Sequence, residues 1–279
     1  MSSGARALLK PGSSEFKLPN VEQGRGAPIV LVHGSNSDQR IWDQHRQIIA
    51  ARYRVIAVSQ RYFGRDPWPD NGESFGISVH ADDLAIFVRD LAIGPVTIVG
   101  WSYGGAVSLT MAVRNPSLVN RLILYEPSLA TFVTSKEEAR AAMEDRLAMM
   151  TAAKPLAAAG DLAGAVRVFM DGVNAEAGPF DRLPPEVRAV MIENAPMLPL
   201  LFAGPPLPSV TADDLRALDI PVSIMLGRDS RTGYQIAARA AQALLPRAEL
   251  TVVNDARHLW PIQNPQGSSQ SVVDVLERA

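Results

Sequence analysis

PVTIVGWSYGGAVSLTMAVRN, residues 95–115, joins an apolar β-type run, a serine between glycines and a helix-type segment without a gap. Gly100, Ser102 and Gly104 form a GxSxG pattern. In a sharp strand-to-helix turn the serine backbone is strained, and side chains two positions before and after it would collide with the neighbouring chain. Such a turn raises the hydroxyl above the carboxyl end of the strand, where open α/β sheets bind ligands. The stretch therefore predicts a nucleophile at Ser102, although an ordinary glycine-rich turn has the same letters.

The rest of the chain extends this alternation of strand-type and helix-type segments. The strand-type runs are nearly continuous in Val, Ile and Leu, as expected when helices cover both faces of a sheet. Between residues 128 and 218 the text is rich in Ala, Met and Pro, with helical spacing and no convincing strand. We therefore predict an α/β fold, a mostly parallel sheet flanked by helices, with a core of residues 1–127 and 219–279 and an inserted helical cap at 128–218. The predicted strands are PIVLVH, YRVIAVS, PVTIVG, RLILY, IPVSIML and AELTVV.

Composition excludes several classes of protein. The 279 residues carry 27 Lys and Arg against 29 Asp and Glu, a formal net charge of −2, and no basic run that could follow a phosphate backbone. The absence of cysteine removes disulfides, thiolate nucleophiles and Cys-ligated metals. No apolar run approaches the roughly 18 residues of a membrane span. Because the apolar patch at residues 7–9 is too short for a signal peptide, we expect a cytoplasmic protein.

A hydroxyl nucleophile needs a base, and histidine has a pKa near neutrality. The chain has four histidines. His45 and His80 fall in helix-type text and are interpreted as ordinary helix residues, and His33 as a residue packed at a strand end. His258 is borne by a loop between the last strand and the closing helix, which makes it the predicted base.

The base in turn needs a carboxylate that fixes its tautomer and stabilises its protonated form. Asp229, in LGRDS after a predicted strand, fits the chain order serine, acid, histidine and is the preferred candidate. Glu126, in LYEPS after the preceding strand, stays as the alternative. Asp255 is too near His258 in sequence and is interpreted as a turn residue.

Backbone and pocket groups complete the predicted site. The loop HGSN follows a predicted strand, so the N–H of Ser35, together with that of Tyr103, is expected to meet a developing oxyanion. The substrate pocket is predicted between the sheet edge and the cap, with cap methionines such as Met149 above it. Its expected lining residues are Asn36, Trp101, Trp260 and Trp68.

The segments HGSN, GWSYGG, GRDS and ARHLWP, in this order, resemble the α/β-hydrolase family over nearly the whole chain. Three features depart from the family pattern: the loop SQRYFGRDPW, the spacing of Asp229 from Gly227, and Arg257 before the histidine. Because of the unusual spacing of Asp229, Glu126 stays as the alternative acid. The resemblance implies a serine hydrolase that needs no cofactor or metal and cleaves a small ester or lactone through an acyl-enzyme. Alternatives are carbon–carbon bond hydrolase, lyase or perhydrolase chemistry with the same triad, a non-enzymatic small-molecule receptor, and an idle protein. The expected partner is a small molecule, with no nucleic acid or membrane, and a homodimer stays open.

Overall fold

A computed structural model of the protein describes residues 17–278 and contains one seven-stranded sheet with the strand order β1-β3-β2-β4-β5-β6-β7. All neighbouring pairs are parallel except β1 and β3, which are antiparallel. The predicted fold class is confirmed. The strands are β1 (Asn20–Gln23), β2 (Pro28–Val32), β3 (Arg54–Val58), β4 (Val96–Trp101), β5 (Val119–Tyr125), β6 (Val222–Gly227) and β7 (Ala248–Val253).

Six of these strands match the six apolar runs of the sequence, and β1 was not predicted. All four residues of β1, Asn-Val-Glu-Gln, are exposed, so the strand lacks the apolar pattern by which the others are recognised. It is held to the sheet by its ladder with β3, from Asn20 opposite Val58 to Gln23 opposite Val55. The side chains of an exposed edge strand of this kind therefore give little indication in the sequence that a strand is present.

The order of the strands determines where a ligand can bind. From β2 the chain moves outward to β3 and then crosses back to β4 on the other side of β2. The loops after β2 and β4 therefore leave neighbouring strands at a point where the winding direction reverses, which in open α/β sheets opens a crevice at the carboxyl ends. Ser102 directly follows β4, and residues 33–36 directly follow β2.

Helices cover both faces of the sheet. The apolar strand residues are almost completely buried, and four of them have no exposed surface: Val30, Leu31, Ile98 and Leu124. Burial on both faces of the sheet explains why the strand sequences are continuous runs of Val, Ile and Leu. The helices of the core are α1 (Asp43–Ile49), α2 (Ile77–Asp90), α3 (Tyr103–Arg114), α11 (Thr232–Leu244), α12 (Trp260–Gln263) and α13 (Pro265–Glu277).

A helical insertion, residues 128–218, separates β5 from β6. All of it is described, and it contains helices and no strand. Asp145 in this insertion pairs with Arg231 just before α11, at 2.7 Å between Oδ1 and Nη2, and Arg231 also donates to the carbonyl of Gly172. The insertion is thereby tied to the core; its exact boundaries as a domain stay a prediction. Its helices are α4 (Lys136–Thr151), α5 (Ala153–Ala158), α6 (Leu162–Asn174), α7 (Pro179–Arg182), α8 (Pro185–Glu193), α9 (Leu198–Phe202) and α10 (Ala212–Ala217).

In the described part of the chain, no helix combines the length and the apolar character needed to cross a membrane. The predicted absence of a signal peptide concerns residues 7–9, which lie outside the described residues.

Candidate active site

The turn between β4 and α3 has the strained backbone that the GxSxG pattern predicts. Ser102 has φ 55° and ψ −116°, in a region that residues with a side chain rarely occupy. A Cβ on Gly104 would lie 2.2 Å from the carbonyl oxygen of His33, and one on Gly100 would lie 2.7 Å from Oγ of Ser108. Glycine is therefore required at both positions, and the turn places Ser102 at the carboxyl end of β4.

Ser102, His258 and Glu126 form a continuous hydrogen-bonded relay. His258 Nδ1 lies 2.7 Å from Oε2 of Glu126, and Nε2 lies 2.8 Å from Oγ of Ser102. Because a carboxylate only accepts, the proton sits on Nδ1, and the Ser102 hydroxyl donates to Nε2. The exposed fractions of Ser102, His258 and Glu126 are 5%, 2% and 0%. The relay is shielded from water, which strengthens each of its hydrogen bonds.

The Glu126 carboxylate is held on both of its oxygens. Its Oε1 accepts from the backbone N–H of Gly227 at 2.8 Å and from the Ser230 hydroxyl at 2.5 Å, while Oε2 faces His258. Glu126 itself has φ 46° directly after β5. Three donors on a fully buried carboxylate offset the loss of its hydration and fix its direction.

The preference for Asp229 as the acid is wrong in this structure, because that residue does not contact the imidazole. Its side chain is exposed, its backbone N–H donates to the carbonyl of Ala256, and its own carbonyl accepts from Arg257. Its neighbour Ser230 points inward instead and bonds to Glu126. The alternative acid, Glu126, occupies the place predicted for Asp229.

The loop of His258 is held by contacts from three directions. Trp101 Nε1 donates to the carbonyl of His258 at 3.1 Å, and the backbone N–H of Leu259 donates to Oδ1 of Asn174 in the helical insertion at 2.9 Å. The Tyr234 ring stacks on the imidazole with centroids 4.1 Å apart and planes 1° apart. Sequence reasoning missed Tyr234 and Asn174, because neither lies in a motif and each comes near His258 only through the fold.

The loop after β2 passes directly beside Ser102. A Cβ added to Gly34 would come within 3.3 Å of the Ser102 Cβ. The next residue in the chain, Ser35, is half-buried. Tyr103 is the first residue of α3, where N–H groups have no acceptor within the helix. Asn36 is fully buried with φ 55°, and among the described residues its amide nitrogen and oxygen find no hydrogen-bond partner. Asn36, predicted as a pocket residue, is thus buried and lines none of the cavities beside the sheet, and the oxyanion role of the Ser35 and Tyr103 N–H groups stays a prediction.

The remaining histidines have structural surroundings. Burial lowers the pKa of His33 to about 4, and the ring lies between the carbonyl of Gly34 and the N–H of Gln60. Burial and the nearby Arg61 lower the pKa of His80 to about 3, and the Tyr103 hydroxyl lies 2.8 Å from Nδ1 of His80. Burial lowers the pKa of His45 to about 4. All three are therefore neutral near pH 7.

Three tryptophans were expected to line the pocket, and the structure gives them other surroundings. Trp101 is buried beneath the His258 loop, in the contact already described. Trp260 packs against Tyr125, with ring centroids 5.5 Å apart. Trp68 packs edge-on against Tyr62 beside a cavity of about 220 Å³ that none of the relay residues borders. Their size and apolar character place them in packing contacts instead.

The cavity beside the relay is lined by other residues. It has a volume of about 210 Å³ and lies between residues 127–133, α4 and α11. Ser128, whose backbone N–H donates to the carbonyl of Ser102, and Tyr234, stacked on His258, both border it. Neither this cavity nor a larger one of about 780 Å³ between α1, α8 and α12 is lined by a relay residue itself, but the larger one lacks Ser128 and Tyr234 as well. The smaller cavity is thus the one next to the chemistry; its apolar lining includes Leu129, Ala142, Met149, Leu207 and Ala237.

Within residues 17–278, no cluster of three or more His, Asp or Glu side chains has the arrangement of a metal site.

The model of the alpha/beta hydrolase family matches residues 29–268, a span that includes the turn between β4 and α3, the relay and the helical insertion. The chain belongs to the alpha/beta hydrolase family. Among relatives of this hydrolase, a pimeloyl-[acyl-carrier protein] methyl ester esterase from Nitrosospira multiformis is 26% identical over 258 residues, 90% of this chain and 94% of that protein. A 2-hydroxy-6-oxo-2,4-heptadienoate hydrolase from Pseudomonas putida is 37% identical over 120 residues, and the alignment covers 42% of each chain. The alignment thus spans less than half of that relative's length.

Solved structures agree on the fold. An esterase from Exiguobacterium antarcticum superimposes with a TM-score of 0.76 at 18% identity, covering 93% of this chain and 95% of the other. A meta-cleavage product hydrolase from Pseudomonas fluorescens gives a TM-score of 0.71 at 20% identity over 94% of both chains. The names of the related proteins support a hydrolase.

Proposed function

We propose that this alpha/beta hydrolase is a cofactor-free serine hydrolase that cleaves a small carboxylic ester or lactone with Ser102, His258 and Glu126. The observation that carries the proposal is the unbroken relay from the Glu126 carboxylate through His258 to the Ser102 hydroxyl. An imidazole whose Nδ1 faces a buried carboxylate and whose Nε2 faces the serine hydroxyl is oriented to accept a proton at Nε2.

In the first half-reaction the Ser102 oxygen bonds to the carbonyl carbon while its proton moves to Nε2 of His258. The N–H groups of Ser35 and Tyr103 would stabilise the oxyanion, a contribution worth roughly 3 kcal/mol for each donor. The bond to the leaving alkoxide then breaks, and His258 returns the proton to that oxygen. A water molecule, deprotonated by His258, attacks the acyl-enzyme in the second half-reaction and releases the acid and free Ser102.

Hydrolysis of a carbon–carbon bond is the second candidate. The similarity to hydrolases of 2-hydroxy-6-oxo-2,4-heptadienoate and of meta-cleavage products favours it. The same relay would then return its proton to a carbon leaving group rather than to an oxygen. Product analysis over a panel of esters, lactones and vinylogous 1,5-diketones would separate the two reactions.

A fluorophosphonate probe tests the nucleophile directly. We expect it to label the protein at Ser102, and Ser102→Ala to remove the label and lower kcat for a short-chain p-nitrophenyl ester by about 10³-fold or more. Ser271→Ala is the matched control, because that hydroxyl bonds only within α13 to the carbonyl of Gly267. Ester turnover by Ser102→Ala equal to that of the control would overturn the proposal.

The cytoplasmic location and the absence of a nucleic-acid partner remain predictions from composition. The small-molecule substrate belongs to the proposal, and size-exclusion chromatography of the purified protein decides between monomer and homodimer.

A further inference from the structure

Arg146, on α4 of the helical insertion, forms no ion pair with a carboxylate among the described residues. Within residues 17–278 its one hydrogen bond to the protein is long, 3.4 Å from Nη1 to the carbonyl oxygen of Ser128. The neighbouring Asp145 is occupied by Arg231, and Glu126 by His258, Gly227 and Ser230. A guanidinium has five donors, so most of the hydrogen-bonding capacity of Arg146 is unused.

The position of Arg146 connects it with the relay. It borders the cavity of about 210 Å³ together with Ser128 and Tyr234. Ser128 bonds to the backbone of Ser102, and Tyr234 stacks on His258, so the guanidinium shares one wall of this cavity with neighbours of both reacting residues. It also acts electrostatically on the phenols of Tyr103 and Tyr234.

Arg146 is partly buried and has no carboxylate partner among the described residues. Burial lowers its pKa, and only the Tyr234 and Tyr103 phenols act in the other direction. Arginine stays protonated at neutral pH even so. A positive charge in a mainly apolar cavity costs free energy unless an anion joins it. Elsewhere in the described chain the half-buried Arg40 and Arg231 each pair with a carboxylate, whereas Arg257 donates only to carbonyls but lines none of the cavities named above.

We propose that the cavity beside the relay is a carboxylate subsite, in which Arg146 binds an anionic group of the substrate while Ser102 attacks the scissile carbonyl. This inference rests on the proposed function and adds the substrate class: an ester that carries a carboxylate on its acyl or its alcohol side. The planar guanidinium matches the two oxygens of a carboxylate. The apolar residues around it would contact the short chain between the carboxylate and the ester.

Two matched substrate pairs test the subsite. Mono-p-nitrophenyl glutarate against p-nitrophenyl valerate places the charge on the acyl side, and 4-butyryloxybenzoate against its methyl ester places it on the alcohol side. For each pair the ratio of kcat/KM, anionic over neutral, is measured after subtraction of spontaneous hydrolysis. We expect Arg146→Gln to lower the ratio of at least one pair by about 10- to 100-fold, as for the loss of a charged hydrogen-bonding partner, and Arg146→Lys to retain part of it.

Arg140→Gln is the matched control, because Arg140 lies on the same helix, is exposed and pairs only with Glu144. It should leave both ratios within about twofold of the wild-type values. If Arg146 merely holds the Ser128 segment, Arg146→Gln lowers both members of each pair alike and neither ratio changes; that result overturns the inference. Ser102→Ala separates the two claims, because its full activity would reject the proposed function, whereas its inactivity with unchanged ratios in Arg146→Gln would reject the subsite alone.

Discussion

The loops after β5 and β6 both carry a carboxylate, but one of these side chains is buried and the other is exposed. After β5 the backbone enters a left-handed conformation at Glu126 and turns the side chain inward to three donors. After β6 the side chain of Asp229 points to solvent, and Ser230 turns inward in its place. The second loop thus supplies a donor to the acid of the first. Here the carboxylate that contacts the histidine is the one whose second oxygen accepts from the neighbouring loop.

The largest expected effect comes from neutralising each acid in turn. Glu126→Gln should lower kcat for a p-nitrophenyl ester by roughly 10²- to 10⁴-fold, because an amide no longer stabilises the imidazolium and can favour the wrong tautomer. Asp229→Asn is the control and should stay within about twofold of wild type. Steady-state kinetics at saturating substrate measure both, and a larger loss in Asp229→Asn would reverse the comparison.

An intermediate effect concerns His45, which has no carboxylate beside its imidazole in the described part of the chain, whereas His258 has one. His45 is buried beside the Ser268 hydroxyl, at 2.8 Å from Nε2, rather than beside a carboxylate, and its pKa is about 4 against an ordinary 6.5. Between these pH values the unfolded chain binds a proton that the native state refuses. The free energy of unfolding therefore falls as the pH drops from 6.5 to 4, by up to about 3 kcal/mol from this residue.

His45→Gln removes that titration and keeps groups that can bond to Ser268. Urea unfolding of the wild type and the variant between pH 7 and 4 measures the difference, because the carboxylates are common to both. We expect a shallower loss of stability with acid in the variant. Parallel pH profiles would show that burial of this imidazole carries no cost.

The smallest expected effect sharpens the link between the two loops. Ser230→Ala removes one of three donors to Glu126 and leaves those from Gly227 and His258, so kcat should fall about 3- to 10-fold. KM should change little, because Ser230 does not border the cavity beside the relay. Ser271→Ala serves as the control for loss of a hydroxyl, and a kcat for Ser230→Ala equal to that of the control would show that two donors suffice.

The features that could be predicted from the sequence are those that depend on a local pattern of residues. Continuous apolar runs predicted six strands, and the glycines around Ser102 predicted a turn whose strain the backbone displays. His258 was recognised because it lies in a loop before the closing helix, whereas the other three histidines fall in helix-type text or at a strand end. Each of these signals lies within a few neighbouring residues.

What sequence could not give depends on contacts between distant segments. Whether Glu126 or Asp229 reaches His258 is decided by the backbone direction at the ends of β5 and β6, which no spacing encodes. The expected tryptophan lining failed for a related reason, since Trp101 is equally suited to a cavity wall or to a buried support. The buried ion pair between Arg61, on the loop that departs from the family pattern, and Asp83 on α2 likewise had no local signal.

The bond between Asn174 and the N–H of Leu259 has a consequence for protein engineering. It is the shorter of two polar contacts between the helical insertion and the neighbours of His258, the other being the 3.4 Å bond from Arg257 to the carbonyl of Ala175. Grafting the insertion of a relative onto this core would remove it unless the donor segment carries an acceptor at the same place. A chimera without that acceptor would keep Ser102 and lose a hydrogen bond that positions the loop of His258.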